Sequence, residues 1–417
     1  MRPCGRRGHA GTVRRDRLIV ALAVLGPGLM VMLADTDAGS VVTAAQSGAT
    51  WGYRLLLVQL ALVPVLIVVL ELSARLAITT GKGFTELIRE HFGGRWATVA
   101  VVTLVVTVMG ALVTEFAGLA GVGELFGVPR GVTVPVAAAA LVVLVVSGGY
   151  RRVEIVGLVL GSLELAFVVA AAMAHPSVSA VGGGFVASQP LGDHGYLALV
   201  AANVGAVVMP WMIFYQQSAI VQKRLTARNL RVVRLDVAAG AVVTQVVMAA
   251  VLVAAAARLH GRGSLSTIGQ LATALSPALG GTMGRVILAL GIGGAALVAS
   301  IVVSLAATWA VAEALGKPRD LNRSVRRARP FYALYATIVA GGAALVLVSS
   351  SLVRLAVDVE ILNALLLPLV LVFLVLLAHR ALPRPYRLLR RQRVAFAAAA
   401  GPIVAVALLW VAIALGF

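Results

Sequence analysis

Eleven stretches of this chain are each apolar over roughly the length a helix needs to cross a bilayer core, about 20 residues. They run 18–43, 53–77, 96–121, 132–148, 152–174, 195–221, 236–258, 284–314, 330–349, 354–379 and 394–416. Hydrocarbon offers no partners to backbone N–H and C=O groups, so such stretches cross it as helices. The predicted class is an all-α polytopic membrane protein with eleven transmembrane helices. Composition agrees: 60% of the 417 residues are hydrophobic and 12% are charged, against about 25% charged in soluble domains. A water-soluble fold of this content would expose large apolar patches. Disorder, a coiled coil and a disulfide scaffold are excluded on the same ground. No long polar block interrupts the runs. The expectation is a basic cytoplasmic tail over 1–17 and a single transmembrane transporter domain over 18–417, with loops between the runs. The tail resembles a signal-peptide n-region, but the first apolar run carries motifs the fold requires, so it reads as retained. The lone cysteine, Cys4, rules out a Cys-based metal or disulfide site.

The net charge is +19, yet its placement argues against nucleic acid. Lys and Arg fall mostly in the basic tail, in short loops between apolar runs or at the ends of the runs, which is the mark of membrane topology. With the N-terminus inside, 29 of the 35 lie in inside segments and six outside: Arg54, Arg130, Arg258, Arg262, Arg285 and Arg354. That asymmetry predicts a multi-pass protein of the cell membrane, N-terminus cytoplasmic and C-terminus outside.

Ten of the runs form two groups of five, and an odd number inverts the second group relative to the first. Repeat one covers about 18–176, repeat two about 194–380, and 394–416 is an extra helix. Inverted repeats of secondary transporters hold substrate at the midplane between broken helices in matching positions. Each group here opens with helix breakers inside an apolar run: Asp37-Ala38-Gly39-Ser40 in the first span and Gly205 through Pro210 in the sixth.

Ionisable groups at membrane depth are costly and mark functional sites. Asp35 and Asp37 lie near mid-depth in the first span. Broken-helix carbonyls plus a carboxylate make a cation site, and Asp37 is also a good cap for the second half-helix. Asp35 is a candidate for a vestibule or an ion pair. Met209, beside Pro210, reads from the residues alone first as core filler and second as a soft metal ligand. Gln216, Gln217 and Asn363 are candidate oxygen ligands, with interhelical hydrogen bonding as the plainer role. Glu115, Glu164, Asp358 and Glu360 could relay protons, with pairing to arginines near span ends or vestibule placement as the plainer role. Gly157 and Gly161 fit a small-residue packing face. No histidine lies mid-span, and no Walker phosphate loop is present.

The stretch Gly26–Leu56 resembles the first-span signature of the Nramp family of divalent metal transporters: Gly-Pro-Gly, eight residues, then Asp37-Ala38-Gly39-Ser40 where that family has Asp-Pro-Gly-Asn. Ala74–Leu76 through Lys82 and Arg89–Gly93 is similar to its second-span end and following loop. Ala206-Val207-Val208-Met209-Pro210 matches its Ala-x-x-Met-Pro, and Leu362-Asn363-Ala364 through Pro368 its tenth-span Leu-Gln-Ser through Pro. The resemblance implies a LeuT-like 5+5 inverted repeat, with broken helices 1 and 6, moving divalent metal inward. By motif position it implies metal ligands Asp37, Ser40, Ala206 (through its carbonyl), Met209 and Asn363, and raises Met209 from filler to ligand. Asp35, Glu115 and Gln216 are implied for a proton or vestibule path. The departures are Ser40 for asparagine, Trp211 for the histidine after Met-Pro, and Leu112 for a third-span aspartate. Those losses resemble the Nramp-related magnesium transporters, which are expected to lack the methionine.

The leading expectation is a secondary transporter of the Mn2+/Fe2+ class with proton coupling doubtful. The alternatives are an uncoupled Mg2+ transporter and, third, a sodium-coupled amino-acid transporter of the same architecture. Asp37 beside the half-helix N-terminus opposes the last. No nucleophile–base or HExxH arrangement suggests an enzyme. No cofactor is called for. The partners are the metal ion and the lipid bilayer, and a monomer suffices, with a homo-oligomer left open.

Overall fold

The computed structural model describes residues 26–261, 281–317, 319–348 and 352–414. The tail 1–17, Cys4, Arg262 and the start of the first run lie outside the described residues. Among the described residues there is helix and no strand. Among them, nine helical segments are long and apolar enough to cross a membrane. They coincide with the second through tenth predicted runs. The first run appears as two short helices, α1 (Pro27–Asp35) and α2 (Ala38–Trp51).

The chain continues through α3 (Leu56–Thr80), α4 (Phe84–Phe92), α5 (Gly94–Leu125) and α6 (Arg130–Ser147). Next come α7 (Tyr150–Ser162), a 3-10 turn at Leu163–Leu165, α8 (Ala166–Met173) and α9 (Val178–Val186). The second half has α10 (His194–Val207), α11 (Pro210–Gln222), α12 (Leu230–Leu259), α13 (Thr282–Ala314), α14 (Arg329–Val348), α15 (Leu352–Arg380) and α16 (Arg390–Ala414). Two of these correct the expectation of loops. Helix α9 lies between the fifth and sixth predicted runs. Helix α4 lies between the second and third spans and buries Phe84, Leu87 and Ile88, one face of a 3.6-residue period. Phe84 meets Phe214 edge-on at 4.8 Å.

Both breaks fall where the sequence places them, for different local reasons. Asp37 is extended (φ −71°, ψ 172°) and its Oδ1 accepts the Ser40 N–H at 2.6 Å, so a side-chain cap starts α2 afresh. At the second break Pro210 occupies the first position of α11 and drives Met209 out of the helical region, to φ −95°, ψ 144°.

The halves lock together by close helix approach and buried polar contacts. A methyl group on Gly157 or Gly161 would collide with Met30 or Leu33, so the small-residue face on α7 lets α1 pack against it. Asn203 on α10 donates to Ser47 Oγ at 2.8 Å and accepts from Gln59 at 3.1 Å, joining α2, α3 and α10. The start of α1 is held from α12. Asp236 accepts the N–H groups of Gly28 at 2.7 Å and Leu29 at 3.2 Å. Beside it Lys223 pairs with Glu154 at 2.9 Å.

Candidate metal centre

Four helix segments meet at the two breaks. The N-terminal end of α2 points two free amides inward, and both are taken by carboxylates. Ser40 N–H goes to Asp37, and Ala38 N–H donates to Glu115 Oε2 at 3.1 Å. These contacts use the positive end of the helix dipole. They also leave that end no room for a substrate carboxylate, which weighs against an amino-acid cargo.

Across the gap, the Ser40 hydroxyl donates to the Ala206 carbonyl at 3.0 Å, so the last turn of α10 abuts the first turn of α2. Helix α15 enters from a third side. Asn363 donates to Glu360 Oε2 at 2.9 Å, one turn back on the same helix. A methyl on Gly39 would strike the Glu360 carboxylate and would lie 3.4 Å from Asp37 Oδ1 and 3.3 Å from Thr114 Oγ1. Gly39 is therefore the point on which Asp37, Glu360 and the Thr114–Glu115 pair converge. Gly205 makes the same allowance, since any side chain there would meet the Glu360 backbone carbonyl.

Every member of this group is buried: Asp37, Ser40, Glu115, Glu360 and Asn363 have no exposed surface. Several oxygens have no hydrogen-bond partner, namely Asp37 Oδ2, Glu360 Oε1 and Asn363 Oδ1. Of the alternatives for the intramembrane acids, pairing with arginines is not what the structure shows for three of them. No ion pair among the described residues involves Glu115, Glu164 or Glu360, because the cations sit at helix ends. Asp358 is exposed. Burying carboxylates without counter-charge is costly unless a cation or protons neutralise them. Among the described residues no three His, Cys, Asp or Glu side chains form a metal cage by themselves. An ion here would be completed by Ser40, Asn363 and main-chain oxygens.

The other expected residues are placed less centrally. Met209 is buried at the sixth-span break, one turn past Ala206, and its sulfur accepts the Trp211 indole N–H at 3.0 Å. Asp35 ends α1 buried, with both carboxylate oxygens unpartnered, while the next residue, Thr36, shares a 2.7 Å hydroxyl bond with Thr244. Gln216 and Gln217 are buried in α11 with no hydrogen bond to either amide, so the interhelical bonding expected of them is absent. Glu164 sits in the 3-10 turn between α7 and α8, also buried and unpartnered. Sequence reasoning set Glu360 aside as an ordinary buried acid. Its spacing of three from Asn363 puts both on one helical face, a signal that was available.

Comparison with known proteins points the same way. The family model "Natural resistance-associated macrophage protein-like" (Nramp) matches residues 28–412. A protein of Deinococcus radiodurans called "Divalent metal cation transporter MntH" is 32% identical over 288 residues, 66% of this chain and 64% of that protein. One of the same name from Yersinia pestis is 31% identical over 281 residues, 64% of this chain and 68% of that protein. The chain thus spans just under two thirds of the Deinococcus protein's length. Among solved structures, the Eremococcus coleocola manganese transporter superposes with TM-score 0.76 at 18% identity, covering 98% of this chain and 87% of that one. MhsT in complex with L-phenylalanine superposes with TM-score 0.65 at 14% identity, covering 92% and 97%. At such identities these two likenesses speak for the fold, the LeuT-like plan of broken first and sixth spans. With the family model covering nearly the whole chain, this multi-pass membrane protein belongs to the Nramp family.

Proposed function

We propose that this protein carries divalent transition-metal ions of the Mn2+ and Fe2+ class across the membrane into the cytoplasm. The observation that carries the reading is the buried, arginine-free group of Asp37, Glu115 and Glu360 around Gly39, opposite the Ala206 carbonyl. Such a set suits a dehydrated divalent cation, whose lost hydration needs anionic as well as neutral oxygens. Asp37, Ser40, Asn363 and the Ala206 carbonyl are the ligands on this reading, with Met209 as the soft one and Glu360 as added negative charge. The relatives named as divalent metal cation transporters support the same cargo.

The N-terminus is cytoplasmic and the C-terminus outside, on the strength of the 29-to-6 division of Lys and Arg. The domain plan is that of the sequence reading, two inverted repeats over about 18–176 and 194–380 and an extra helix. Proton coupling is weak or missing. Leu112, one turn before Glu115 on α5, is fully buried against Gly342 of α14. It leaves no acceptor there for a proton moving off Glu115. Asp35 and Gln216 line the approach to the ion.

The test is Mn2+ uptake into proteoliposomes, with Mg2+ as competitor and internal pH monitored. Asp37→Ala is expected to abolish uptake while eluting as a folded monodisperse protein. Transport near the parent rate in that variant would sink the assignment.

A further inference from the structure

At the ends of α13 and α14 a partly open cavity of about 320 Å3 lies between the two helices, away from the metal centre. Its walls are apolar, with Val311, Leu315, Phe331 and Leu334 among them, and Lys317 and Arg327 stand in its lining. Both cations are exposed. Among the described residues neither is in ion-pair contact with a carboxylate. Their neighbour Arg319 is different: it is consumed by Glu86 at 2.6 Å and Glu313 at 2.8 Å. The loop therefore spends one cation on the fold and leaves two at the cavity.

The position narrows the occupant. The walls come from the last turn of one membrane-length helix and the first turns of another, so the cavity sits where acyl chains give way to headgroups. A small hydrophilic anion would satisfy Lys317 and Arg327 and gain nothing from Phe331 and Leu334. A lipid of one negative charge satisfies both halves at once. Basic pockets between transmembrane helices at the headgroup level take anionic lipids in this way, and the volume lies in the range of small-molecule sites. We propose that the cavity between α13 and α14 is a binding site for an anionic glycerophospholipid. The phosphate lies against Lys317 and Arg327, and an acyl chain lies along Phe331 and Leu334. The charge asymmetry places it in the cytoplasmic leaflet.

The experiment is native mass spectrometry of the full chain released from nanodiscs, counting retained phosphatidylglycerol against phosphatidylcholine. The parent is expected to retain phosphatidylglycerol preferentially. The double variant Lys317→Ala/Arg327→Ala should weaken that retention about twenty-five-fold, roughly fivefold for each cation near the surface. A matched exposed pair on another basic segment, Arg228→Ala/Arg231→Ala around the start of α12, should leave it unchanged. Leu334→Trp fills the apolar half while keeping both charges. It should also lower retention, which keeps the test decisive if the double variant fails to fold. Equal retention of the two lipids, equal loss in the control pair, or displacement by millimolar inorganic phosphate would each overturn the proposal.

Discussion

On the proposed function, Met209 is the side chain on which metal selectivity turns. A thioether is a soft donor suited to Mn2+, Fe2+ or Cd2+ and of little use to Mg2+. Its sulfur is already engaged by Trp211 at 3.0 Å, but a second lone pair remains. Met209→Ala is expected to weaken Cd2+ and Mn2+ binding by about ten- to thirtyfold, the equivalent of ~1–2 kcal/mol, with Mg2+ nearly unaffected. Titration calorimetry on purified protein reads this directly, and equal loss for all three ions would favour a magnesium transporter. Glu360→Gln removes charge and keeps shape. It should lower the affinity for Mn2+ and Mg2+ together, because its oxygen is hard. A change confined to Cd2+ would place Glu360 outside the site. That Asp37, Ser40 and Ala206 lie at the two breaks was legible in the sequence, because each break is encoded within one short motif. Glu360 was not singled out. Several acids lie in the spans, and the sequence does not say that α15 passes Gly39.

The start of α1 shows how one side chain can organise a helix end. Asp236 reaches from α12 to the amides of Gly28 and Leu29. These donors have no partner within their own helix. Asp236→Ala should lower stability by about 1–2 kcal/mol, the usual cost of losing a cap, seen as a reduced melting temperature in detergent. An unchanged Tm would mean that water or Glu154 replaces the carboxylate. The breaks themselves were readable, since Pro210 and the Asp-Ala-Gly-Ser tetrapeptide interrupt helices by local rules. Helix α4 was passed over because nine residues are too few for a span. Its pattern of Phe84, Leu87 and Ile88 was nonetheless in plain view, and scanning only for membrane-length runs hides such an element.

Over the whole molecule, nine of the long apolar runs reappear as helices of membrane length among the described residues, because hydrocarbon leaves helices few alternatives. Which helices touch is another matter. Contacts such as Asn203 with Gln59 and Ser47 join residues more than a hundred positions apart, and no periodicity announces them. Orientation can be checked by labelling. On a Cys4→Ser background, Ser188→Cys should react with a membrane-impermeant maleimide from outside, and Ser324→Cys only after the membrane is opened. The reverse pattern would invert the protein.

The Ala206 oxygen that receives the Ser40 hydroxyl belongs to the main chain. No codon change can delete it. A saturation scan will therefore score position 206 only for size, and will report as tolerant a position whose carbonyl, on the proposed function, faces the ion. Reaching that atom calls for backbone chemistry: an α-hydroxy acid installed at position 207 turns the peptide link into an ester and makes the Ala206 oxygen a poorer donor of electron density. Genetic variation at this locus, however deep, leaves the main-chain part of the proposed ligand set untouched.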